Sequence, residues 1–267
     1  MPASVTHETV PDNALPARRR SELVRLVRAR GQITVADIAA LFDVSADTIR
    51  RDLDFLAEQG LLKRTHGGAV ASDSLVGADT PFAQRIDSRK EAKARIARAA
   101  ARLIADRETL LVNGGSTTLA FAAELGGHSG LTIVTNSLGL PAALPYQAVR
   151  DIYMLGGMVR LEAQVTLGAV GFAGAGSISA DTAVIGVGGV SRAGIFTSML
   201  AEAEMIAAML AAAHRVVVLA DASKIGRPAF AQIAPLDRVH VLVTDAEPPE
   251  DLGLAEAGVE LICAGPG

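Results

Sequence analysis

VSADTIRRDLDFLAEQGLLKRTHGGA, residues 44–69, joins a helix start, an arginine pair and a basic, glycine-ended turn within 26 residues. Ser45 is placed to cap a helix that runs to Gly60, since a serine hydroxyl can accept from an unpaired first-turn N–H. At about 100° per residue, Ile49, Leu53 and Leu56 fall within about 60° of one another and form the buried stripe. Arg51 then lies about 200° from Ile49, with Asp47 beside it and Arg50 and Thr48 on its flanks. After Gly60 the run LLKRTHGGAV predicts a hairpin, with Lys63, Arg64 and His66 on its strands or tip and Gly67 and Gly68 permitting the turn.

Two helices are expected upstream. Leu23, Leu26 and Val27 have the i, i+3, i+4 spacing of an amphipathic helix that Gly31 closes. Thr34 followed by Asp37 resembles a capping box and starts a helix burying Ile38, Leu41 and Phe42. Three helices in under fifty residues, with Asp43 and Val44 as the tight turn and a basic hairpin behind, define a winged helix-turn-helix. Its DNA-facing residues are expected to be Ser45, Asp47, Thr48, Arg50, Arg51, Lys63, Arg64 and His66. An arginine opposite the buried stripe can reach base edges or phosphates. For an isolated helix, a solvated charged face would explain the same residues; the cap, the helices and the basic wing together favour double-stranded DNA.

The totals agree. The 267-residue chain carries a net charge of −4, yet residues 16–70 hold ten Lys/Arg against seven Asp/Glu, and residues 71–267 fifteen against twenty. A small basic module attached to an acidic body is the asymmetry of a protein that touches phosphates with one part only. The single cysteine, Cys263, excludes an internal disulfide and a cysteine zinc site and fits a reducing, cytoplasmic compartment. The five histidines form neither a helical pair nor an HExxH pattern, so no metal is expected. No apolar run reaches the roughly 18 residues of a membrane span. Residues 1–15 lack a signal peptide's basic start and apolar middle and are expected to be a disordered tail. Residues 16–70 form the DNA-binding domain, 71–81 a small, polar linker, and 82–267 a second domain.

That second domain opens with an expected helix from Phe82 to about Ala105, whose many Arg and Lys residues are taken for a solvated face. Short apolar runs then alternate with helical stretches: 110–112, 131–135, 152–155, 182–187, 216–220 and 239–244. Near-continuous Val/Ile/Leu runs of this kind indicate a parallel α/β sheet covered on both faces. Polar, glycine-bearing segments fall at the strand ends, where ligands collect in such sheets. They are Asn113-Gly114-Gly115-Ser116-Thr117-Thr118, Thr135-Asn136-Ser137, Gly156-Gly157 with Arg160, Gly186-Val187-Gly188-Gly189, residues 194–197, and the stretch from Asp221 to Gly226 that carries Lys224. The first puts glycines and hydroxyls at a helix start, an arrangement suited to a single phosphate; it lacks the Gly-Lys-Ser/Thr ending of a nucleotide loop. Ser191 stands where a dinucleotide fingerprint needs its third glycine, and no cofactor is expected. The expected ligand-binding set is Asn113 to Thr118, Thr135 to Ser137, Gly156, Gly157, Gly188, Gly189 and Lys224.

The stretch 44–69 resembles the DNA-binding signature of the DeoR family of bacterial transcriptional regulators (DeoR/GlpR type), over about residues 19–70. In the second half NGGSTT, VTNSL, LGG, GIFT, EAE and DASKIG stand in the order of that family's sensor domain, which is similar in fold to ribose-5-phosphate isomerase. The resemblance implies that the helix after the turn enters the major groove. It also implies that a phosphorylated sugar, polyol or similar effector binds the sensor, its phosphate on Gly115 to Thr118 and the remainder near Asn136, Gly157, Gly188 and Lys224. The family's aromatic, arginine and lysine positions correspond to Phe82, Arg85 and Lys93. Ala201 and Ile206 depart from its Glu-Glu-Ala-x-x-Lys pattern, and Asn113 replaces a common aspartate.

Two rival classes fit the residues less well. A sugar-phosphate isomerase needs a positioned base, but its Asp-Gly-x-Asp-Glu segment is missing, with Asp181-Thr-Ala-Val-Ile in that region, and no Gly-x-Ser-x-Gly elbow is present. An interaction scaffold has no positive sequence support. The expectation is therefore a repressor of a sugar or polyol catabolic operon, not an enzyme, acting as a homo-oligomer (dimer or tetramer) on operator half-sites.

Overall fold

The computed structural model describes residues 19–20, 22–24, 26–27, 32–58, 62–65, 67–71, 82–171 and 177–265. The expected tail, His66, the side chain of Lys63 and residues 72–81 of the expected linker lie outside them. The chain divides into two compact units, Met1–Leu75 and Val76–Gly267.

In the first unit the described residues of 19–27 are helical. They are followed by β1 (Gln32–Thr34), α1 (Val35–Phe42), α2 (Ala46–Glu58), β2 (Leu62–Thr65) and β3 (Gly68–Ala71). The Thr34 hydroxyl accepts from the Asp37 N–H at 3.1 Å and donates to its carboxylate at 2.7 Å. Asp43 closes α1 in the left-handed region, at φ 51°. Leu23, Val27, Ile38, Ile49, Leu53 and Leu56 pack as one core. The wing is larger than the sequence suggested: β1 pairs with β3 and β3 with β2, making a three-stranded antiparallel sheet. β1 is three residues long, too short for a period-2 pattern to show.

A buried carboxylate ties this unit together. Asp52, 2% exposed, accepts from Arg19 at 2.6 Å and Arg20 at 2.7 Å, and Arg20 also lies 3.9 Å from the centroid of the Phe55 ring. Asp52→Ala removes the carboxylate that both part-buried guanidinium groups share. It should destabilise this unit by about 1–3 kcal/mol, between the surface and the buried ion-pair cases. Urea unfolding followed by circular dichroism should show an earlier first transition and an unchanged second one.

The second unit begins with α3 (Phe82–Asp87) and α4 (Lys90–Ala101), in place of the single long helix expected. The break is at Ser88-Arg89, with Arg89 left-handed at φ 51°. The Lys93 ammonium occupies the turn, donating to the Arg85 carbonyl and, at 2.7 Å, to the Ser88 carbonyl. There follow β4 (Thr109–Val112), α5 (Ser116–Ala123), β5 (Leu131–Thr135), α6 (Leu140–Ala143), β6 (Val149–Met154), β7 (Met158–Arg160), β8 (Val165–Leu167), β9 (Ala180–Gly186), β10 (Gly189–Ser191) and β11 (Gly194–Thr197). The chain ends with α7 (Leu200–Ala211), β12 (Ala213–Leu219), β13 (Ala231–Ala234), β14 (Val241–Thr244) and β15 (Glu260–Cys263).

Seven strands form one parallel sheet in the order β15-β14-β12-β9-β4-β5-β6. Alternate residues supply its two faces, as strand geometry requires. Leu111, Ala183, Ile185, Val216 and Val218 pack with Met205, Ile206 and Met209 of α7. Leu110, Val112, Val184, Val217 and Val241 pack with Ile96 of α4 and Phe121 of α5. Ile206, at the family's lysine position, is thus a core residue. The strands beyond this sheet, β7–β8 and β10-β11-β13, are antiparallel. β6 departs from the covered-strand expectation, since all five residues from Arg150 to Met154 are exposed. No helix of the described residues is long and apolar enough to cross a membrane.

Candidate DNA interface and ligand cavity

On α2 the Ser45 hydroxyl accepts from the Thr48 N–H at 3.2 Å and bonds the Thr48 hydroxyl at 2.9 Å, which fixes the helix start. Asp47, Arg50 and Arg51 are exposed, while Ile49 and Leu53 are fully buried, so the angular reading of this helix holds. The arginines are not equivalent. Arg50 pairs with Asp47 at 2.6 Å, and Arg64 with Asp54 at 2.7 Å while donating to the Gly68 carbonyl at 3.1 Å. Arg51 has no ion-pair partner among the described residues. It is the guanidinium that pays least to leave its surroundings for DNA.

In the second unit the sheet reverses its winding between β4 and β9, the crevice where parallel sheets take ligands. A cavity of about 340 Å³ opens there. Gly114, Gly115, Ser116, Thr117, Gly188 and Lys224 line it, as expected, together with Arg85, Ser88, Arg89, Lys93, Gly186, Val187, Thr197, Ser198, Glu202, Asp221 and Ser223. α5 starts in the wall of this cavity without a side-chain cap, leaving first-turn N–H groups for an anion. Gly114 is required: a Cβ there would stand 2.1 Å from a Val165 methyl.

The remaining expected residues do not line the cavity; Asn113, Thr118, Thr135 and Asn136 instead tie together the backbone at the strand ends beside it. Asn113 clamps the ends of β4 and β9, donating to the Gly186 carbonyl at 2.9 Å and accepting from the Gly186 N–H at 2.8 Å. Asn136 accepts from the Gly114 N–H at 2.8 Å and donates to the Thr166 carbonyl at 2.9 Å. Thr118 donates to the Asn113 carbonyl at 2.8 Å. Thr135 donates to the Val112 carbonyl at 2.6 Å and accepts from the Ser137 N–H at 3.0 Å. Gly156 and Gly157 form the turn into β7, where a Cβ on Gly157 would meet the Leu167 carbonyl at 2.0 Å, and Gly189 opens β10.

Arg85, Arg89 and Lys93, taken from the sequence for part of a solvated face, instead stand with Lys224 around the cavity. The bend at Arg89 turns them inward, and a break at an arginine carries no sequence signal. Lys93 is only 5% exposed. Burial lowers the pKa of Lys93 and Lys224, with Asp221 acting in the opposite sense and the neighbouring cations adding to the lowering. Burial likewise lowers that of Arg85, opposed by Glu202. The Arg85 Nε is buried without a hydrogen-bond partner, an uncompensated cost. Asp221, 3% exposed, lies 3.6 Å from Arg89 and accepts from the Ser223 hydroxyl at 2.5 Å; Glu202 accepts from the Thr197 hydroxyl. The cavity therefore offers cationic and N–H donors to an anion and carboxylates to hydroxyl groups.

A helix-turn-helix unit followed by an α/β unit with an anion-ready cavity defines a DNA-binding regulator that carries a sensor. The DeoR-like helix-turn-helix domain matches residues 19–75 and the DeoR C-terminal sensor domain residues 88–246. The chain belongs to the DeoR family of DNA-binding transcriptional repressors, which are regulators and not enzymes. It is 33% identical to the HTH-type transcriptional repressor CsqR of Escherichia coli (strain K12), over 91% of this chain and 94% of that protein. It is also 33% identical to the glycerol-3-phosphate regulon repressor of the same strain, over 87% and 92%. Among solved structures, a D-ribose-5-phosphate isomerase in complex with phospho-erythronic acid matches 51% of this chain and 53% of its own at 22% identity, with a TM-score of 0.37.

Proposed function

We propose that this repressor controls a sugar or polyol catabolic operon in the cytoplasm, and that a phosphorylated sugar or polyol in the cavity between β4 and β9 loosens its grip on operator DNA. The observation that carries this reading is the gathering of Arg85, Arg89, Lys93 and Lys224 with the start of α5 around one cavity. Like charges brought together out of water are costly, and a dianionic phosphate offsets that cost. Asp221 and Glu202 then suit the hydroxyl groups of a polyol or sugar, and the relative named for a glycerol-3-phosphate regulon supports the same class. Ser45, Asp47, Thr48, Arg50 and Arg51 face the operator, with Lys63, Arg64 and His66 toward its backbone. One such module reads few bases, so a homo-oligomer, dimer or tetramer, engages paired half-sites.

A thermal-shift screen of sugar and polyol phosphates beside their unphosphorylated forms tests the ligand class. A binder of the folded state raises the melting temperature; a rise with the free polyols and none with the phosphates would sink the reading.

The lysines make binding pH-dependent. An anion favours the protonated form of Lys93 and Lys224, so effector affinity should fall as pH rises through their lowered pKa, below the ordinary lysine value. For the ligand-free protein the sign is opposite. These groups hold fewer protons folded than unfolded in that window, so their contribution to stability rises with pH. Calorimetric titration at neutral and alkaline pH, beside unfolding of the free protein, reads both slopes.

A further inference from the structure

We infer that Lys93 is the positioning residue of the effector site: it holds the bend that carries Arg85 and Arg89 into the cavity, and does not itself bind the anion. This rests on the reading of the cavity as an effector site and assigns a role within it.

An ammonium group has three N–H donors and no acceptor. Lys93 directs all three into the turn before its own helix: to the Arg85 carbonyl, to the Ser88 carbonyl at 2.7 Å and to the Ser88 hydroxyl at 3.4 Å. The residue is 5% exposed, and although it stands in the cavity wall, no donor is left for a ligand. Its backbone N–H also donates to the Arg89 carbonyl at 3.1 Å. One residue thereby grips the main chain of Arg85, Ser88 and Arg89.

What it grips is strained. Arg89 stands in the left-handed region at φ 51°, which an L side chain adopts at a cost and glycine adopts freely. Such a conformation persists where its surroundings over-determine it. Here Lys93 fixes the backbone, and Asp221, at 3.6 Å, holds the Arg89 side chain. A glycine would serve a mere turn, whereas an arginine at this position puts a guanidinium in the cavity wall. The end of α3 depends on the same bonds, because the Arg85 carbonyl takes both the Lys93 ammonium and, at 3.0 Å, the Ser88 hydroxyl. Without the ammonium the last turn of α3 has unpaired carbonyls, and nothing fixes the direction in which Arg85 enters the cavity.

The test is titration calorimetry of the full-length protein with glycerol 3-phosphate and with inorganic phosphate. Lys93→Met should weaken binding of both by about tenfold or more. Lys93→Gln, which keeps an N–H donor for the turn but no charge, should lose less. In an Arg89→Gly background, where glycine takes the left-handed turn unaided, Lys93→Met should weaken binding by less than about threefold. Arg89→Gly itself removes one guanidinium, so the two factors are compared rather than the affinities. An equal loss in Lys93→Met and Lys93→Gln, or the same factor in both backgrounds, would make Lys93 a direct ligand of the anion; it would overturn the inference and leave the effector reading. Wild type that binds neither phosphate overturns the effector reading and the inference with it. The melting temperature of the sensor transition shows that each variant is folded. Were Lys93→Met to misfold, Lys93→Gln in the two backgrounds decides alone, an undiminished loss beside Arg89→Gly overturning the inference.

Discussion

Arg85→Ala should weaken effector binding by about 30-fold or more and leave the free protein as stable as wild type or more so. Truncating one partner of a buried, charge-assisted contact costs about 2–5 kcal/mol, and each 1.4 kcal/mol is about tenfold in affinity. The stability side runs the other way. The Arg85 Nε is buried with no partner, its pKa is lowered by burial, and Lys93 and Lys224 feel its charge. Removing it relieves repulsion and a desolvation cost that the ligand otherwise offsets. Titration calorimetry with the best phosphorylated compound of the screen and thermal unfolding of the free protein give the two numbers. Equal affinity in wild type and variant would place the anion elsewhere, and a large fall in melting temperature would make Arg85 a structural residue.

Arg51→Ala should lower operator affinity by about 5- to 150-fold, the equivalent of about 1–3 kcal/mol, with effector binding unchanged. Arg50→Ala should cost less, since Arg50 must first leave Asp47, and Arg64→Ala less again, since Arg64 is held by Asp54 and Gly68. The type of loss tells what Arg51 touches. If it reads a base, discrimination between the operator and a single-base variant collapses. If it holds a phosphate, affinity falls alike on all sequences and the salt dependence flattens by about one unit of slope. Band retardation at several salt concentrations measures both, and undiminished retardation would remove Arg51 from the interface.

How far the sequence carried differs between the two units. Ile49, Leu53 and Arg51 were legible because a thirteen-residue helix imposes a strict angular period, and Ser45 marks its start chemically. The buried strands were legible because Leu131–Thr135 and its neighbours are apolar on both faces. β1, β7, β8 and β10 are three residues each, below the length at which alternation speaks. The cavity was half legible. Its glycine and hydroxyl wall follows from the Asn113–Thr118 segment, whereas its cationic wall depends on the bend at Arg89. Periodicity treats residues 82–105 as one helix, on which Arg85, Arg89 and Lys93 share one stripe among many other charges and read as a solvated face. Asn113 and Asn136 show the converse: polar residues at strand ends are as apt to clamp backbones as to meet a ligand, and sequence does not separate the two uses.

On the function proposed above, an anion in the cavity between β4 and β9 sets the hold of the helix-turn-helix on DNA. Fluorescence anisotropy of a labelled operator with the full-length protein tests it directly, with the phosphorylated effector and its dephosphorylated counterpart titrated into wild type and Arg85→Ala. With the phosphorylated compound, wild type should change its operator affinity by about 5- to 150-fold. No change is expected with the dephosphorylated one, and the response of Arg85→Ala to the phosphorylated compound should be displaced to about 30-fold higher concentration or more. A response of Arg85→Ala at the wild-type concentration, or the same response to both compounds, would overturn this.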